Sequence, residues 1–498
     1  MNDKEIVGTY SGSSVISKFG DKWKGFVRLD RIYKVKVISA DKILYNSGRF
    51  DLLSKYLLIK AYIEQIDVKW YEEIYLALIY HYNNFQESDG NKLKIGKENF
   101  INSFISLYKE IKQNGFDLKN GLIPVTDKLV PIDGGHRIAI CALLHINVSI
   151  LILDQNTNFN YQYFAKKKLD SEISDFIAFS YCKFNPCAFV ALIFPVAGKK
   201  YDNDIFELFN SKFDVFYKKE VTLFGNGPFL IVKNLYRQHP WVNSEDCNIN
   251  IQRKTKACFQ GLTPLRIIIF KANSLHEVLD TKDKIRDLYN IDNHSIHITD
   301  NQSETLECAK LLLNDNSIHW LNNAPKTVPK NFERIFQNLV NLNINFDYES
   351  FCIEGSSSLA IYGLRDVSDI DLWGKNKIML NNLDHEIECS NENLDYLNNK
   401  TLNDLLYNPR NFFYYENVKV LSLEIIKELK KSRNTVKDKK DLILINPLLN
   451  NSKYFEKITS RVDHFITYYV GQTKYKVKKI LPLFLLIIYR LIRDKLFK

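Results

Sequence analysis

Two aspartates flank a single isoleucine at Asp369-Ile370-Asp371-Leu372. Alternate residues of a strand face the same side, so this order turns Asp369 and Asp371 to one face and sends Ile370 into a core. About a dozen residues upstream, the apolar run Phe351-Cys352-Ile353 breaks into Glu354-Gly355-Ser356-Ser357-Ser358, and a short amphipathic segment runs from Leu359 to Leu364. A strand, a glycine turn, a helix and a second strand are the elements this pattern allows. Two carboxylates side by side on a strand can hold a divalent cation, and the amides at a helix start suit a phosphate.

These residues resemble the nucleotidyltransferase superfamily that includes DNA polymerase beta and the antibiotic nucleotidyltransferases. Its signature is Gly-Ser or Gly-Gly, about a dozen residues, then Asp-x-Asp between apolar residues, and Gly355-Ser356 with Asp369-x-Asp371 fits that spacing. The resemblance implies Mg²⁺ on Asp369 and Asp371, a triphosphate positioned by Gly355 and Ser356, and a third carboxylate on a later strand. Glu386 and Glu388 both stand open for that role, with Glu388 taken as the catalytic candidate. Glu354 departs from the family, which has an apolar residue there. A stretch with Arg433, Lys437, Asp438 and Asp441 is similar to the helix that lines the nucleotide cleft in small members, which makes Arg433 and Lys437 candidate phosphate contacts.

At 498 residues the chain is long for one domain and suggests about three. The expected class is α+β and multidomain. The formal charge of +10 is uneven: from Arg461 onward nine Lys/Arg face two Asp, leaving the remainder nearly neutral. That argues against a broad nucleic-acid surface. Eight cysteines form no CxxC pair, which suits reduced thiols and a cytoplasmic setting without structural zinc. The polar start at Met1-Asn2-Asp3 does not read as a signal peptide.

Residues 1–30 read as a loose lead-in, and helical patterns follow at 52–84 and 97–114. Asp133-Gly134-Gly135-His136-Arg137 then sits between an apolar strand and a helix. Two glycines admit close backbone approach, Arg137 adds a charged fork, and Asp133 is a candidate metal ligand. With Asn114-Gly115-Phe116-Asp117 and Ile123-Pro124-Val125 this resembles the ParB/sulfiredoxin fold over residues 31–155, whose members bind or use nucleotides such as CTP and ATP. Gly134, Gly135, His136 and Arg137 become candidate phosphate contacts. Asp133, His136 and Arg137 match the free-serine-kinase branch, while Gly135 replaces both one of that branch's histidines and the sulfiredoxin cysteine.

Over 160–325, strand–helix–strand occurs twice, which fits a ferredoxin-like layer. Residues 242–258 read as a charged, exposed insert. His294-Ser295-Ile296-His297, with Ser303-Glu304-Thr305 after it, is similar to nucleoside-diphosphate kinases. That resemblance makes His297 a candidate catalytic phospho-acceptor, although the family's Lys-Pro-Asp reads Phe194-Pro195-Val196 here. On one strand His294 and His297 would face opposite sides.

Pro325–Pro329 marks a linker, residues 330–447 the nucleotidyltransferase-like unit, and 451–498 a basic amphipathic helix suited to an anionic membrane surface. The combined expectation is a Mg²⁺-dependent nucleotidyltransferase using ATP or another triphosphate. It would be coupled to an N-terminal small-molecule kinase and make an activated donor from a phosphorylated sugar or alcohol for bacterial surface glycan. A protein-modifying nucleotidyltransferase and a non-catalytic nucleotide-sensing scaffold are the alternatives.

Overall fold

The computed structural model describes residues 8–20, 23–66, 69–89, 92–118, 121–261, 263–341, 349–375, 386–397 and 399–450. The 451–498 segment, expected to be a basic amphipathic helix, lies outside them. The fold mixes helices with several small sheets, and the chain divides into two compact units: Met1–Pro186 with Asp214–Tyr217, and Cys187–Phe213 with Lys218–Lys498. None of the eight cysteines is in a disulfide. Among the described residues no helix is long and apolar enough to cross a membrane.

The first unit contains β1 (Gly8–Ser11), β2 (Ile32–Ser39), the hairpin β3 (Gln86–Asp89) and β4 (Lys92–Ile95), then β5 (Ile123–Val125) and β6 (Asn147–Ile152). The main sheet has the order β1-β2-β6-β5. The expected lead-in is part of this core. β1 pairs antiparallel with β2, and Val15, Trp23 and Val27 pack with Tyr33, Val35 and Leu151. Composition hid this, because the apolar side chains that carry the packing, Val15, Trp23 and Val27 with Tyr10, Ile16 and Phe26 against them, are spread among Gly, Ser and Lys. The helical pattern at 52–84 is two helices, Asp51–Ile63 and Lys69–Asn83, and Gln65 just past the first takes a left-handed φ of 52°. A non-glycine residue in that region ends regular helix.

The second unit holds β7 (Ala188–Ile193), the end of β8 (Asp214–Val221) from Lys218 onward, β9 (Leu265–Lys271) and β10 (Ile296–Ile298), in a sheet of order β10-β7-β9-β8. Its other sheet is built from β11 (Phe351–Ile353), β12 (Ile370–Gly374), β13 (Ile387–Cys389), β14 (Phe412–Tyr415) and β15 (Val418–Leu421), in the order β13-β12-β11-β15-β14. The charged insert expected at 242–258 is largely exposed and forms the helix Cys247–Cys258, which buries Ile251 and Cys258.

The stretches at 187–324 and 330–450 share this unit, and side chains tie them together. Trp320 stacks on Phe413 with ring centroids 6.1 Å apart, Tyr414 N donates to Ser317 Oγ, and Asn417 Nδ2 donates to Glu307. The β14–β15 turn places both Glu416 and Asn417 at positive φ, the twist that a two-residue hairpin turn needs. The helix Lys330–Asn341 buries Phe332, Ile335, Phe336 and Leu339, a three-four spacing that lays one apolar stripe on the unit.

Candidate functional site

On β12, Ile370 and Leu372 are fully buried on one face. Asp369, Asp371 and Trp373 follow the other, passing from exposed through half-buried to buried. The two carboxylates therefore sit at the open end of a face that closes over further along the strand.

Strand pairing completes the arrangement. β13 runs parallel to β12 with Asp371 opposite Glu388. β11 runs antiparallel to β12 with Ile353 opposite Leu372. One more step of that register sets Glu354 opposite Asp371, and Glu354 N donates to Asp371 O at 2.8 Å. Residues paired across a sheet share a face, with neighbouring strands about 4.8 Å apart. Glu354, Asp371 and Glu388 thus form a row across three strands, with Asp369 beside it. Glu386, the other residue open as third carboxylate, is engaged elsewhere: Arg334 grips it with two hydrogen bonds of 2.6 and 2.7 Å.

The electrostatics match this geometry. Burial raises the Asp371 carboxyl above its ordinary value, and the charges of Asp369 and Glu388 raise it further, against Lys437 and Arg433. Burial pushes Glu354 up to about 7, opposed by a hydrogen bond from Asn393 and assisted by Asp371. Glu354 is 1% exposed, and its Oε2 has no hydrogen-bond partner among the described residues. Gly355 adopts φ +67°, and a Cβ there would lie 3.1 Å from Asp371 Oδ2, so glycine keeps the turn clear of the carboxylate.

A chain of polar contacts supports the turn from both sides. Asn393 Nδ2 donates to Glu354 Oε1 at 2.9 Å, and Arg433 Nη1 donates to Asn393 Oδ1 at 3.3 Å. Arg433 also forks onto Asp438, which meets the buried Lys430. Lys430 pairs with Asp441 at 2.7 Å, Asp441 takes a two-pronged contact from Arg365, and Arg365 Nη2 donates to Ser356 Oγ at 2.6 Å. The chain starts at Glu354 and ends at Ser356, the two neighbours of Gly355. Lys437 is exposed and makes no ion pair among the described residues. Sequence reading missed Asn393, Arg365 and the part played by Glu354. The signal for Glu354 was a charged residue closing an apolar strand.

Among the described residues, no three His, Cys, Asp or Glu side chains converge as a ready ligand set. Like charges on one face repel and settle apart unless a cation lies between them. The buried orphan oxygen of Glu354 beside Asp371 is the feature that fits a hard cation.

The other expected sites lie apart from this one in sequence. His297 on β10 joins its Nε2 to Glu304 Oε1 at 2.8 Å and meets the Tyr236 ring edge-on. Burial alone would raise the Glu304 carboxyl, but the His297 hydrogen bond pulls it below its ordinary value. His294 belongs to a 3-10 turn before the strand, and both histidines line one cleft of about 690 Å³ with Arg253, Lys254, Lys282 and Arg286. The expected opposite facing fails because strand alternation starts only at Ile296.

In the first unit, Gly134 takes φ +80° and starts the helix Gly135–Leu143, while its N donates to Asp133 Oδ1. Arg137 Nη1 donates to Gly121 O at 3.3 Å. His136 is boxed between Tyr75 and Phe104, its Nε2 2.9 Å from Tyr75 Oη, and burial followed by Lys55 and Lys94 holds it well below its ordinary value. It is therefore a neutral ring at neutral pH. Gly135 lies against Lys55, which is buried with Arg49 in ion pairs to Asp51.

No protein-family pattern, curated protein or solved structure matches this chain.

Proposed function

We propose that the second unit is a Mg²⁺-dependent nucleotidyltransferase that moves a nucleotidyl group from ATP or another nucleoside triphosphate to a small phosphorylated sugar or alcohol. The observation that carries this reading is the parallel pairing of Asp371 with Glu388, which sets a third carboxylate next to Asp369-x-Asp371 beside the Gly355 turn. The sheet of β11 to β15 then corresponds to a nucleotidyltransferase fold. When bound, the cation would neutralise the triphosphate and the charge developing on the leaving pyrophosphate.

Asp369 and Asp371 would hold that cation and Glu388 would complete its site. The Gly355–Ser356 turn would align the phosphates, with Ser356 Oγ fixed by Arg365. Lys437 stands free to meet a phosphate oxygen. Arg433, with Nε and Nη2 on Asp438, would meet a phosphate through Nη1, which also donates to Asn393.

The order β10-β7-β9-β8 suits a ferredoxin-like layer, with the His297 cleft as its polar end. The Asp133–Arg137 turn is read as a phosphate contact in a ParB/sulfiredoxin-like unit. An activated donor for surface glycan, made in the cytoplasm beside the membrane, is the product class this combination favours.

The test is pyrophosphate release from each triphosphate with a panel of phosphorylated alcohols and sugars. Wild type should turn over, and Asp369→Asn and Asp371→Asn should each lower kcat at least 100-fold. Absent release, or release untouched by both substitutions, removes the reading. Label appearing on protein would transfer the same chemistry to a protein acceptor.

A further inference from the structure

Glu354 is the residue of the site that the resemblance leaves unexplained. A carboxylate that ends an apolar strand could turn to solvent, yet this one is 1% exposed. Only one of its oxygens is satisfied, by Asn393 Nδ2 at 2.9 Å, and Oε2 is buried without a hydrogen-bond partner among the described residues. Leaving a buried polar group unpaired costs roughly 1–3 kcal/mol, and more when it is charged. A native structure that keeps such a group has a reason for it, a bound ion or water among them.

The geometry says which ligand. The antiparallel register and the Glu354 N–H···O bond to Asp371 place the Glu354 side chain on the face that carries Asp371. Asp371 in turn stands opposite Glu388 on β13. None of Asp369, Asp371 and Glu388 has a hydrogen-bonded or ion-paired side chain among the described residues. An anion or an apolar group would add to the cost of that row. A hydrogen-bond donor could satisfy Oε2 alone. A hard divalent cation, which takes carboxylate oxygens, satisfies Oε2 and its neighbours together.

The support behind Glu354 argues the same way. Asn393 fixes Oε1 and is itself fixed by Arg433, so the carboxylate is held through one oxygen and the other, Oε2, is left to a ligand. Metal-ligating carboxylates are oriented in this way by outer partners.

We propose that Glu354 Oε2 is a ligand of the divalent cation, making the site a row of three strands' carboxylates instead of the Asp-x-Asp pair with one later acid. This rests on the nucleotidyltransferase reading for the presence of the cation, but it makes its own claim about who holds it.

The experiment is Mn²⁺ binding to the full chain without nucleotide, read as loss of the free-ion signal by electron paramagnetic resonance. Wild type should bind one ion per chain at this site, and Asp371→Asn should abolish it. Glu354→Gln keeps the Asn393 contact and the shape, and should weaken binding at least tenfold. Glu354→Asp keeps the charge but draws the oxygen back by one methylene, and should also bind more weakly than wild type. Glu386→Gln, which removes one nearby charge outside the row, should bind as wild type does. Wild-type affinity in Glu354→Gln with loss in Asp371→Asn overturns the Glu354 role and leaves the transferase reading intact. Wild-type affinity in Glu354→Asp reduces its effect to charge alone and overturns coordination. No binding by wild type, or binding untouched by Asp371→Asn, removes the cation site and this inference with it.

Discussion

Glu354 also makes the stability of the second unit depend on pH in a direction opposite to that of most carboxylates. Its carboxyl rises from the ordinary 4.5 to about 7, chiefly by burial, with Asn393 opposing and Asp371 adding to the shift. The folded state thus keeps a proton that the unfolded chain releases. The resulting stabilisation is complete below about pH 4.5 and is lost as the pH rises through about 7. At 1.36 kcal/mol per unit, the swing is about 3 kcal/mol for a residue this buried. Glu354→Gln mimics the protonated form and does not titrate. In EDTA, the stability difference between variant and wild type should therefore grow in the variant's favour by about 3 kcal/mol between pH 4.5 and 7.5. Urea unfolding measures it, followed by hydrogen exchange of peptides covering β11 and β12 so that the second unit is read separately from the first. Titrating groups that do not interact with Glu354 cancel in the difference. Curves for the two proteins that stay parallel across this range refute the reasoning, because they would mean that the Glu354 carboxyl ionises in the folded state as freely as in the unfolded one.

Two further outcomes test other parts of the molecule. Asp441→Asn leaves Arg365 and the buried Lys430 each short of a carboxylate and should destabilise the second unit by about 3–5 kcal/mol, seen as a lower urea midpoint with an unchanged slope. In the first unit, Arg137→Ala should weaken binding of ATP or CTP at least tenfold in calorimetry, whereas His136→Phe should change it less than twofold, because the His136 ring is neutral and its Nε2 is taken up by Tyr75.

The elements of the second unit were legible in the sequence because local pattern dominates there. The strand at Leu265–Lys271 is one unbroken buried run, and the helices at Leu275–Tyr289 and Lys330–Asn341 each carry one apolar stripe along their length. The grouping of carboxylates was only half legible. Asp369 and Asp371 share a face by alternation alone, but choosing Glu388 over Glu386 needs the register of β13, and register is a property of two strands. Glu386 and Glu388 have the same spacing from their neighbours, and only Arg334 on a distant helix separates their roles. The folded start of the first unit escaped for a related reason: Val15, Trp23 and Val27 are isolated in sequence and meet only when β1 closes on β2. His294 misled because alternation was applied one turn too early.

The ring of contacts around Gly355 has a consequence for the order in which this protein is made. Its turn lies between Glu354 and Ser356, which Asn393 and Arg365 hold, and those two are anchored in turn by groups as late as Arg433 and Asp441. On a ribosome adding 5–20 residues per second, Asp441 follows Ser356 by roughly 4–17 s. For much of that interval Arg365 and Asn393 are already made but lack the partners that anchor them. The turn therefore has its full set of contacts only once Asp441 is made, and slowing synthesis between residues 356 and 441 lengthens the time in which that set is incomplete.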